Sequence, residues 1–426
     1  MHLSGRCSVI LSISLFTLAG LGCNRTPAPS ESNTTQQSPA PATPKSSSQE
    51  MTAGVTVHAA DAFYDPPPNV PKQPGTLLRS EPLKEVTLPP GMQGWRILYT
   101  TTVNDTTPAT AVATVFAPAN LPPGARPVIT WEHGTTGLLQ KCMPSLVSAP
   151  TVGIPAQKQA MEAGWVIVAT DYSFTEKGGP HPYIIGEGEA RAALDAVRAA
   201  HKMPELTLDE HTVVWGHSQG GHSALWTGIA GPKYAPDIKI IGVAALAPAA
   251  NMPKILELNE QVDKRLGPYI ATSYSRFYPD IKFEQAIRPE ALAAAQEIRN
   301  LCGFFPPEDP QRIGVLIKSF EGRALATSTN KALAARLKQN VADHPIAVPL
   351  LIAQGLSDAV VLPAATGAYV EQRCSAGQRL EYWQVAGRDH GGIVQPGSPL
   401  EAPLAAWTAA RFSNEPQPKG CARKSF

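Results

Sequence analysis

A serine in a glycine-rich corner is the residue best placed in this sequence to act as a nucleophile. The apolar run Val213–Trp215 leads into a Gly-X-Ser-X-Gly corner at Gly216–Gly220, and a helical pattern follows from Ser223. Such a corner strains the serine backbone, lifts its hydroxyl clear of the sheet and directs the positive end of the following helix at the reaction centre. Its two glycines leave room where the backbone comes too close for any larger side chain. The corner predicts that Ser218 is a nucleophile, the alternative being an ordinary strand-to-helix turn.

A serine hydroxyl needs a histidine base that is oriented by a carboxylate. For a corner of this type, the acid and then the histidine follow the serine along the chain. Asp358 follows the apolar run 349–353, and His390 follows the next predicted strand, so both lie in loops at the sheet edge that carries Ser218. Asp389 is the alternative acid, although a side chain next to the histidine can rarely reach its ring. The predicted catalytic residues are therefore Ser218, Asp358 and His390.

Acyl transfer also requires two N–H donors for the oxyanion of the tetrahedral intermediate. The backbone amide of Gln219, directly after the nucleophile, is one predicted donor. The second is expected in the loop that follows the strand 128–131, where the backbone amide of Thr135 is the best placed. Because these donors are backbone groups, side-chain identity gives little help in assigning them.

The remaining histidines are predicted to have structural or solvated positions. His217 and His222 lack the i, i+4 spacing of a zinc pair on a helix, so we expect one to pack beside the corner and the other beneath it. His133 precedes a glycine in the loop of the second oxyanion donor, which favours a structural ring. His181 and three further histidines lie in loops or at element ends, where we expect contact with solvent.

The surrounding pattern predicts an α/β fold with a mostly parallel central sheet. Two antiparallel edge strands are expected at 95–102 and 109–116. Apolar strands then alternate with helices, and several are apolar on both faces, as in a parallel sheet covered on both sides. The helix 187–200 has a clear apolar stripe, and Glu189 lies away from it. The predicted later strands are 128–131, 165–170, 213–215, 240–247, 349–354 and 380–385.

The alternation of strands and helices stops between residues 251 and 345, where helical patterns occupy 255–265, 289–299, 311–320 and 331–340. An insertion at this point lies above the sheet edge that carries the nucleophile. We therefore predict a helical cap between two parts of the core, 56–250 and 346–426. Its dense aromatic residues either wall an apolar acyl pocket or form the core of the cap itself, the latter for most of them. They are Tyr269, Tyr274, Phe277, Tyr278, Phe304 and Phe305.

The amino-terminal residues predict export. Residues 1–22 have a positive n-region and an apolar run of signal-peptide length, which is too short for a permanent bilayer span. Small residues precede Cys23 as in the lipobox of bacterial lipoproteins, so Cys23 is a predicted lipid anchor, the alternative being a simple secretory signal. Residues 23–55 are rich in Ser, Thr, Pro and Gln, a composition typical of a disordered tether. The expected location is the cell envelope or the medium of a bacterium, with possible membrane attachment only through this lipid.

Charge and cysteine content agree with this interpretation. A net charge of +1 without a basic stripe gives no indication of nucleic-acid binding. Besides Cys7 and Cys23, four cysteines remain, an even number suited to disulfide bonds in an oxidising compartment. Four cysteines allow three pairings, and no two are close enough in sequence to form a zinc ligand pair. The disulfide candidates are Cys142, Cys302, Cys374 and Cys421.

Several motifs in order resemble the secretory lipase, or lipase A-type, family of α/β-hydrolases. They are Glu132–Gly137 with Cys142 and Pro144-Ser145, Asp171-Tyr172 ahead of Gly179–Tyr183, the Ser218 corner, Asp358 and His390. The resemblance runs from about residue 63 to 421. It implies a capped α/β-hydrolase fold and hydrolysis of small-molecule or lipid carboxylic esters by the predicted triad, without a metal or organic cofactor. The loop 173–177 departs from the family because it is more charged than the expected glycine-rich segment, which leaves the substrate range open.

Two other functions are compatible with the same residues. A serine peptidase of related fold would share the triad, although such enzymes often carry a gating domain before the sheet. A non-catalytic binding lipoprotein would normally have lost one of the three triad residues, and here all three are present. Ester hydrolysis is therefore the predicted function.

Overall fold

The computed structural model describes residues 54–121, 123–173, 178–303 and 308–426. The predicted signal segment, Cys23, the tether up to residue 53, residues 174–177 and the pair Phe304 and Phe305 lie outside the described residues. Within the described ranges, no helix combines the length and the apolar character needed to cross a bilayer.

One sheet of ten strands, counted over the described residues, forms the centre of the structure. Its spatial order is β1-β2-β3-β5-β4-β6-β7-β8-β9-β10. Strands β1, β2, β3 and β5 pair in antiparallel fashion, and all pairs from β5/β4 to β9/β10 are parallel. The strands are β1 (Leu77–Pro82), β2 (Met92–Thr102), β3 (Pro108–Pro118), β4 (Arg126–Glu132), β5 (Val166–Thr170), β6 (Leu208–His217), β7 (Lys239–Leu246), β8 (Leu350–Gly355), β9 (Leu380–Val385) and β10 (Cys421–Ser425).

Eleven α-helices within the described residues accompany the sheet. They are α1 (Gln157–Glu162), α2 (Gly186–Ala200), α3 (Gln219–Tyr234), α4 (Met252–Leu258), α5 (Glu260–Phe277), α6 (Phe283–Ala286), α7 (Leu292–Ile298), α8 (Glu308–Leu316), α9 (Lys331–Gln339), α10 (Pro363–Ser375) and α11 (Glu401–Phe412). Short 3-10 helices occur at Ala62–Tyr64, Gln140–Cys142, Pro144–Leu146 and Pro289–Ala291.

The central strands are apolar on both faces because helices cover both sides of the sheet. On β6, Val213 and Trp215 pack into a cluster with Leu404 of α11, whereas Val214 between them packs on the other face with Leu225 of α3. This alternation fixes the strand register, since a slip of one residue would exchange the two faces. The α/β class and the mostly parallel sheet follow the prediction.

The segment between β7 and β8 contains the six helices α4 to α9 and an apolar cluster that includes Tyr269 and Tyr274. The predicted helix 255–265 is two helices here. They are separated by Asn259, whose side chain accepts a hydrogen bond from the Val262 amide and begins α5. Asparagine is a favoured N-cap residue, so this boundary carries a signal in the sequence.

Three details of the sequence prediction are wrong. Strand β1 covers β2, so the strands at 95–102 and 109–116 do not form the edge of the sheet. The tail strand β10 pairs with β9 although its sequence, CARKS, has no apolar run. Helix α2 is buried almost all round, and Glu189 is fully buried. In each case a tertiary contact overrides the local pattern.

The four predicted cysteines form two disulfides. Cys142 joins Cys302, which connects the region after β4 to the end of α7, with 5.5 Å between the Cα atoms. Cys374 joins Cys421, which connects α10 to β10 across 6.0 Å. The second bond holds the polar tail strand at the sheet edge.

Removing the second disulfide should destabilise the protein because the bond restricts a long loop of the unfolded chain. For the double variant Cys374→Ser/Cys421→Ser we expect the free energy of unfolding to fall by about 2–4 kcal/mol. Urea unfolding under oxidising conditions measures this, with oxidised wild type as the reference. An unchanged urea midpoint in the variant would contradict the stabilising role.

Candidate active site

Ser218 lies at a sharp corner between β6 and α3. Its backbone has φ 58° and ψ −115°, a strained conformation for a residue with a side chain. The Ser218 amide donates to the Leu246 carbonyl at 2.9 Å, and its carbonyl accepts from the Ala249 amide at 3.0 Å. These bonds to the segment after β7 hold the serine in place.

The two glycines of the corner are required by close backbone contacts. A Cβ atom at Gly216 would lie 1.9 Å from the Gly220 carbonyl oxygen, and one at Gly220 would lie 1.8 Å from the Glu132 carbonyl oxygen. The helix α3 thus begins in direct contact with the end of β4. The crowding predicted from the sequence is present at both positions.

The structure brings His390 and Asp358 to Ser218. His390 Nε2 is 2.8 Å from Ser218 Oγ, and His390 Nδ1 is 2.7 Å from Asp358 Oδ2. A carboxylate oxygen accepts the Nδ1 proton, which leaves the lone pair of Nε2 facing the serine hydroxyl. The hydroxyl can therefore donate to a ring nitrogen that is ready to take its proton.

The Asp358 carboxylate is fixed by further hydrogen bonds. Its Oδ1 accepts from the amides of Val360 and Val361 at 2.8 and 2.9 Å, and its Oδ2 accepts from Gln354 Nε2 at 2.9 Å. Burial opposes the ionisation of this group, but the charge and hydrogen bond of His390 outweigh it, so the pKa of Asp358 lies below its usual value. A negative charge is therefore available to stabilise a protonated His390.

The alternative acid, Asp389, is occupied elsewhere. Its Oδ1 accepts from the Gly392 amide at 2.7 Å within its own loop. A second link joins this loop to the Asp358 loop, because the Ser357 amide donates to the Arg388 carbonyl at 3.0 Å. The acid that contacts the His390 ring is Asp358.

His217 lies against His390. Its Nε2 donates to the backbone carbonyl of His390 at 2.7 Å, and the two rings are 4.7 Å apart. Burial and the neighbouring His390 lower the pKa of His217 to about 3, so it remains neutral at physiological pH. Its position beside the corner agrees with the expectation, whereas His181 is 2 % exposed and not solvated as expected.

The predicted oxyanion donors, Gln219 and Thr135, belong to two segments next to Ser218. Gln219 is the first residue of α3, where backbone amides have no partner within the helix. Thr135 lies in the loop after β4, and its hydroxyl is 2.9 Å from that of Tyr183. A Cβ atom at Gly134 would be only 3.4 Å from Ser218 Cβ, so this loop runs directly beside the nucleophile.

A cavity of about 120 Å³ opens beside Ser218 and His390. None of its described lining residues belongs to 251–345, so the described cap aromatics do not line this cavity. Tyr269 and Tyr274 instead pack in the cluster of the inserted helices, as the alternative anticipated. The walls come from the middle of β3, from the ends of β4 and β5 and from the segments that follow β4, β5 and β9. They include Thr114, Trp131, Thr135, Val147, Val152, Ala169, Asp171 and Val394.

Asp171 is a buried carboxyl group that the sequence analysis did not single out as functional. It follows β5 at the cavity, and both of its oxygens accept from the Ser145 amide, at 3.2 and 3.4 Å. Burial raises the pKa of Asp171 to about 7, and its hydrogen bonds to Ser145 only partly offset this. The position of an acidic residue directly after the mostly apolar strand VIVAT was the available signal.

Within the described residues, no group of three His, Cys, Asp or Glu side chains is arranged to hold a metal ion. The histidines around Ser218 have other partners. His222 Nδ1 contacts Glu189, and its Nε2 contacts the Asn340 carbonyl.

Gly216→Ala should disrupt the corner, because the new Cβ would overlap a backbone oxygen that cannot move without shifting α3. We expect the free energy of unfolding to fall by at least about 2 kcal/mol. Gly314→Ala is the matched control, since its Cβ meets nothing within 4 Å in α8. Equal free energies of unfolding for the two variants in urea would contradict the crowding at Gly216.

The raised pKa of Asp171 predicts a pH dependence of stability. Between pH 4 and 7 this carboxyl group binds more protons in the folded state than in the unfolded state. The contribution of Asp171 to the free energy of unfolding therefore falls as pH rises. Asp171→Asn does not titrate but keeps an oxygen for the Ser145 amide. The free energy of unfolding of the variant relative to wild type should increase by the order of a few kcal/mol from pH 5 to pH 7.5, as measured by urea unfolding. Parallel pH profiles for the two proteins would exclude this effect.

The sequence and the fold are similar to those of known lipases. Residues 151–420 match the family model described as secretory lipase. A Mycobacterium tuberculosis protein described as a probable inactive lipase is 23% identical over 84% of this chain and 82% of its own length. A secreted triacylglycerol lipase of Malassezia globosa is 25% identical over 85% of this chain and 83% of its own length.

Among solved structures, Candida antarctica lipase A in its closed state superposes with a TM-score of 0.65 and 18% identity, covering 84% of this chain and 87% of that one. This likeness shows the α/β-hydrolase fold. The family match covers well over half of the chain. The protein therefore belongs to the secretory lipase family.

Proposed function

We propose that this protein is an exported serine carboxylic-ester hydrolase that acts through an acyl-enzyme intermediate. The observation that carries the proposal is the continuous hydrogen-bond chain from Ser218 Oγ through the His390 ring to Asp358. Its geometry matches what a serine nucleophile, a general base and an orienting carboxylate require.

The proposed reaction has two steps. In the first, Ser218 Oγ attacks the ester carbonyl while its proton passes to His390 Nε2, and the same proton then goes to the departing alcohol. In the second, His390 takes a proton from water, the hydroxide attacks the acyl-enzyme, and the acid leaves as Ser218 regains its proton. Asp358 holds the imidazole tautomer and stabilises its cation in both steps. The amides of Gln219 and Thr135 are the proposed donors to the oxyanion.

The substrate is proposed to be a small-molecule or lipid ester. The cavity beside Ser218 combines apolar walls, such as Trp131 and Val152, with several threonine side chains, which suits an acyl chain next to a polar ester group. The inserted helices 251–345 are proposed to act as a cap over the site. Their link to the Thr135 loop supports this, because the Gly303 amide donates to the Thr136 carbonyl at 2.9 Å.

Export and lipid attachment are part of the proposal. The signal-like segment 1–22 and Cys23 are features of the sequence, and we propose that Cys23 anchors a bacterial envelope protein. The two disulfides support an oxidising compartment, since such bonds persist outside the reducing cytosol.

A non-catalytic role is the competing proposal, because one relative is described as a probable inactive lipase. A binding protein on this scaffold would have no need to keep three triad residues in hydrogen-bond contact. The intact chain from Ser218 to Asp358 therefore favours catalysis.

Hydrolysis of nitrophenyl esters with acyl chains of increasing length tests the proposal. We expect wild type to hydrolyse part of the series. The activity of Ser218→Ala should be lower by roughly a thousandfold or more. Ser223→Ala, a buried serine on the same helix, is the control and should retain activity. Equal activity of wild type and Ser218→Ala, or an inert wild type, would contradict the esterase proposal. Peptide substrates would then test the peptidase alternative.

A further inference from the structure

A buried carboxylate on α2 holds the first turn of the helix that follows the nucleophile. Glu189 Oε1 accepts from the Ile184 amide and from Gln219 Nε2, each at 3.0 Å. Its Oε2 is 2.7 Å from His222 Nδ1. Glu189, Gln219 and His222 are all essentially inaccessible to solvent. One carboxylate therefore fixes two residues of α3, at the first and fourth positions.

The hydrogen bonds also fix where protons lie in this network. His222 Nε2 is 2.8 Å from the Asn340 carbonyl, which can only accept, so Nε2 carries a hydrogen. The contact between Nδ1 and Glu189 Oε2 then requires one further hydrogen, which either the ring or the carboxyl group can donate. Both Glu189 oxygens are thus satisfied, as a buried carboxyl group requires.

The first turn of α3 needs this support because its N-cap is not available. A serine at the N-cap normally accepts a hydrogen bond from an amide of the first turn. Ser218 makes no such bond, since its hydroxyl faces His390 instead. The orientation of the turn that carries the Gln219 amide must therefore be maintained by other groups, and the Gln219 side chain is the nearest of them.

We propose that Glu189 is a positioning residue for ester hydrolysis, acting through the Gln219 carboxamide to hold the Gln219 backbone amide where the oxyanion forms. This inference rests on the proposed function. Preorganised donors stabilise a transition state because they need no reorientation as charge develops. A loosened Gln219 amide should therefore slow the reaction while substrate binding changes little.

Gln219→Met tests the role of the side chain, because it keeps the backbone amide and approximate volume but removes the bond to Glu189. With a short nitrophenyl ester we expect kcat to fall about tenfold and KM to stay within about twofold. A trifluoromethyl ketone, which forms an oxyanion adduct with an active-site serine, should bind about tenfold more weakly for the same reason.

Thr227→Val is the matched control. Thr227 also lies on α3 and donates to a buried carboxyl group, Glu132 Oε1 at 3.0 Å, but not in the first turn. Loss of this hydrogen bond in Thr227→Val should lower the thermal midpoint, as Gln219→Met does. It should leave kcat and inhibitor affinity within about twofold of wild type. A merely structural Gln219 would behave like this control.

The carboxylate itself is tested by a pair of variants. Glu189→Gln retains an oxygen for the Gln219 and Ile184 donors and offers an N–H to His222 Nδ1, so it should keep kcat within about threefold of wild type. Glu189→Leu removes all three bonds and should reproduce the kcat and inhibitor losses of Gln219→Met. If Gln219→Met does not fold, Gln219→Asn, whose amide is one methylene short of Glu189, replaces it.

The outcomes separate this inference from the function on which it depends. An inert wild type, or an active Ser218→Ala, overturns the proposed function. If wild type is active and Ser218→Ala is not, unchanged kcat and inhibitor affinity in Gln219→Met overturn the positioning role alone. Equal losses in Glu189→Gln and Glu189→Leu would also overturn it, because the first variant keeps the bond to Gln219.

Discussion

The structure of the site depends on backbone crowding at one corner. Gly216, Gly220 and the end of β4 approach so closely that the chain cannot turn from β6 into α3 without strain at Ser218. The strain has a second effect, because it turns the Ser218 hydroxyl to His390 and away from the helix that it begins. The contact with His390 and the N-cap of α3 thus compete for one hydroxyl group, whereas the Glu189 network contacts the first turn of α3 through Gln219 and His222.

Parallel strands bring the remaining groups to this corner. Ser218 directly follows β6, and Asp358 and His390 follow β8 and β9. All three strands run in one direction with only β7 between them. Their carboxyl ends therefore meet at one sheet edge, although 172 positions separate Ser218 from His390. Local bonds then set the final geometry, since backbone amides hold the Asp358 carboxylate and the Asp358 and His390 loops are linked to each other.

The residues of this edge were predictable because their signals are local. One signal is a glycine-flanked serine after an apolar run, and the other is a polar residue directly after a later strand. Each signal spans only a few consecutive residues of the sequence. Glu189 was not predictable in this way. Its helix has an apolar stripe on another face of the predicted pattern, and the partners of the carboxylate on α3, Gln219 and His222, lie 30 and 33 positions away along the chain. Strand β10 and the walls of the cavity were missed for the same reason, since partners distant in sequence determine them.

The carboxyl groups near the site differ in charge because their surroundings differ. Burial raises the pKa of Glu132 well above its usual value, and it raises the pKa of Asp171 to about 7. Asp358, which contacts His390, has a lowered pKa instead. A neutral Glu132 adds no negative charge to the site, whereas the Asp358 carboxylate contacts the His390 ring at 2.7 Å. When the surroundings of neighbouring acids separate their pKa values, the acids can have different roles. Here the ionised acid is Asp358, which contacts His390, the proposed base.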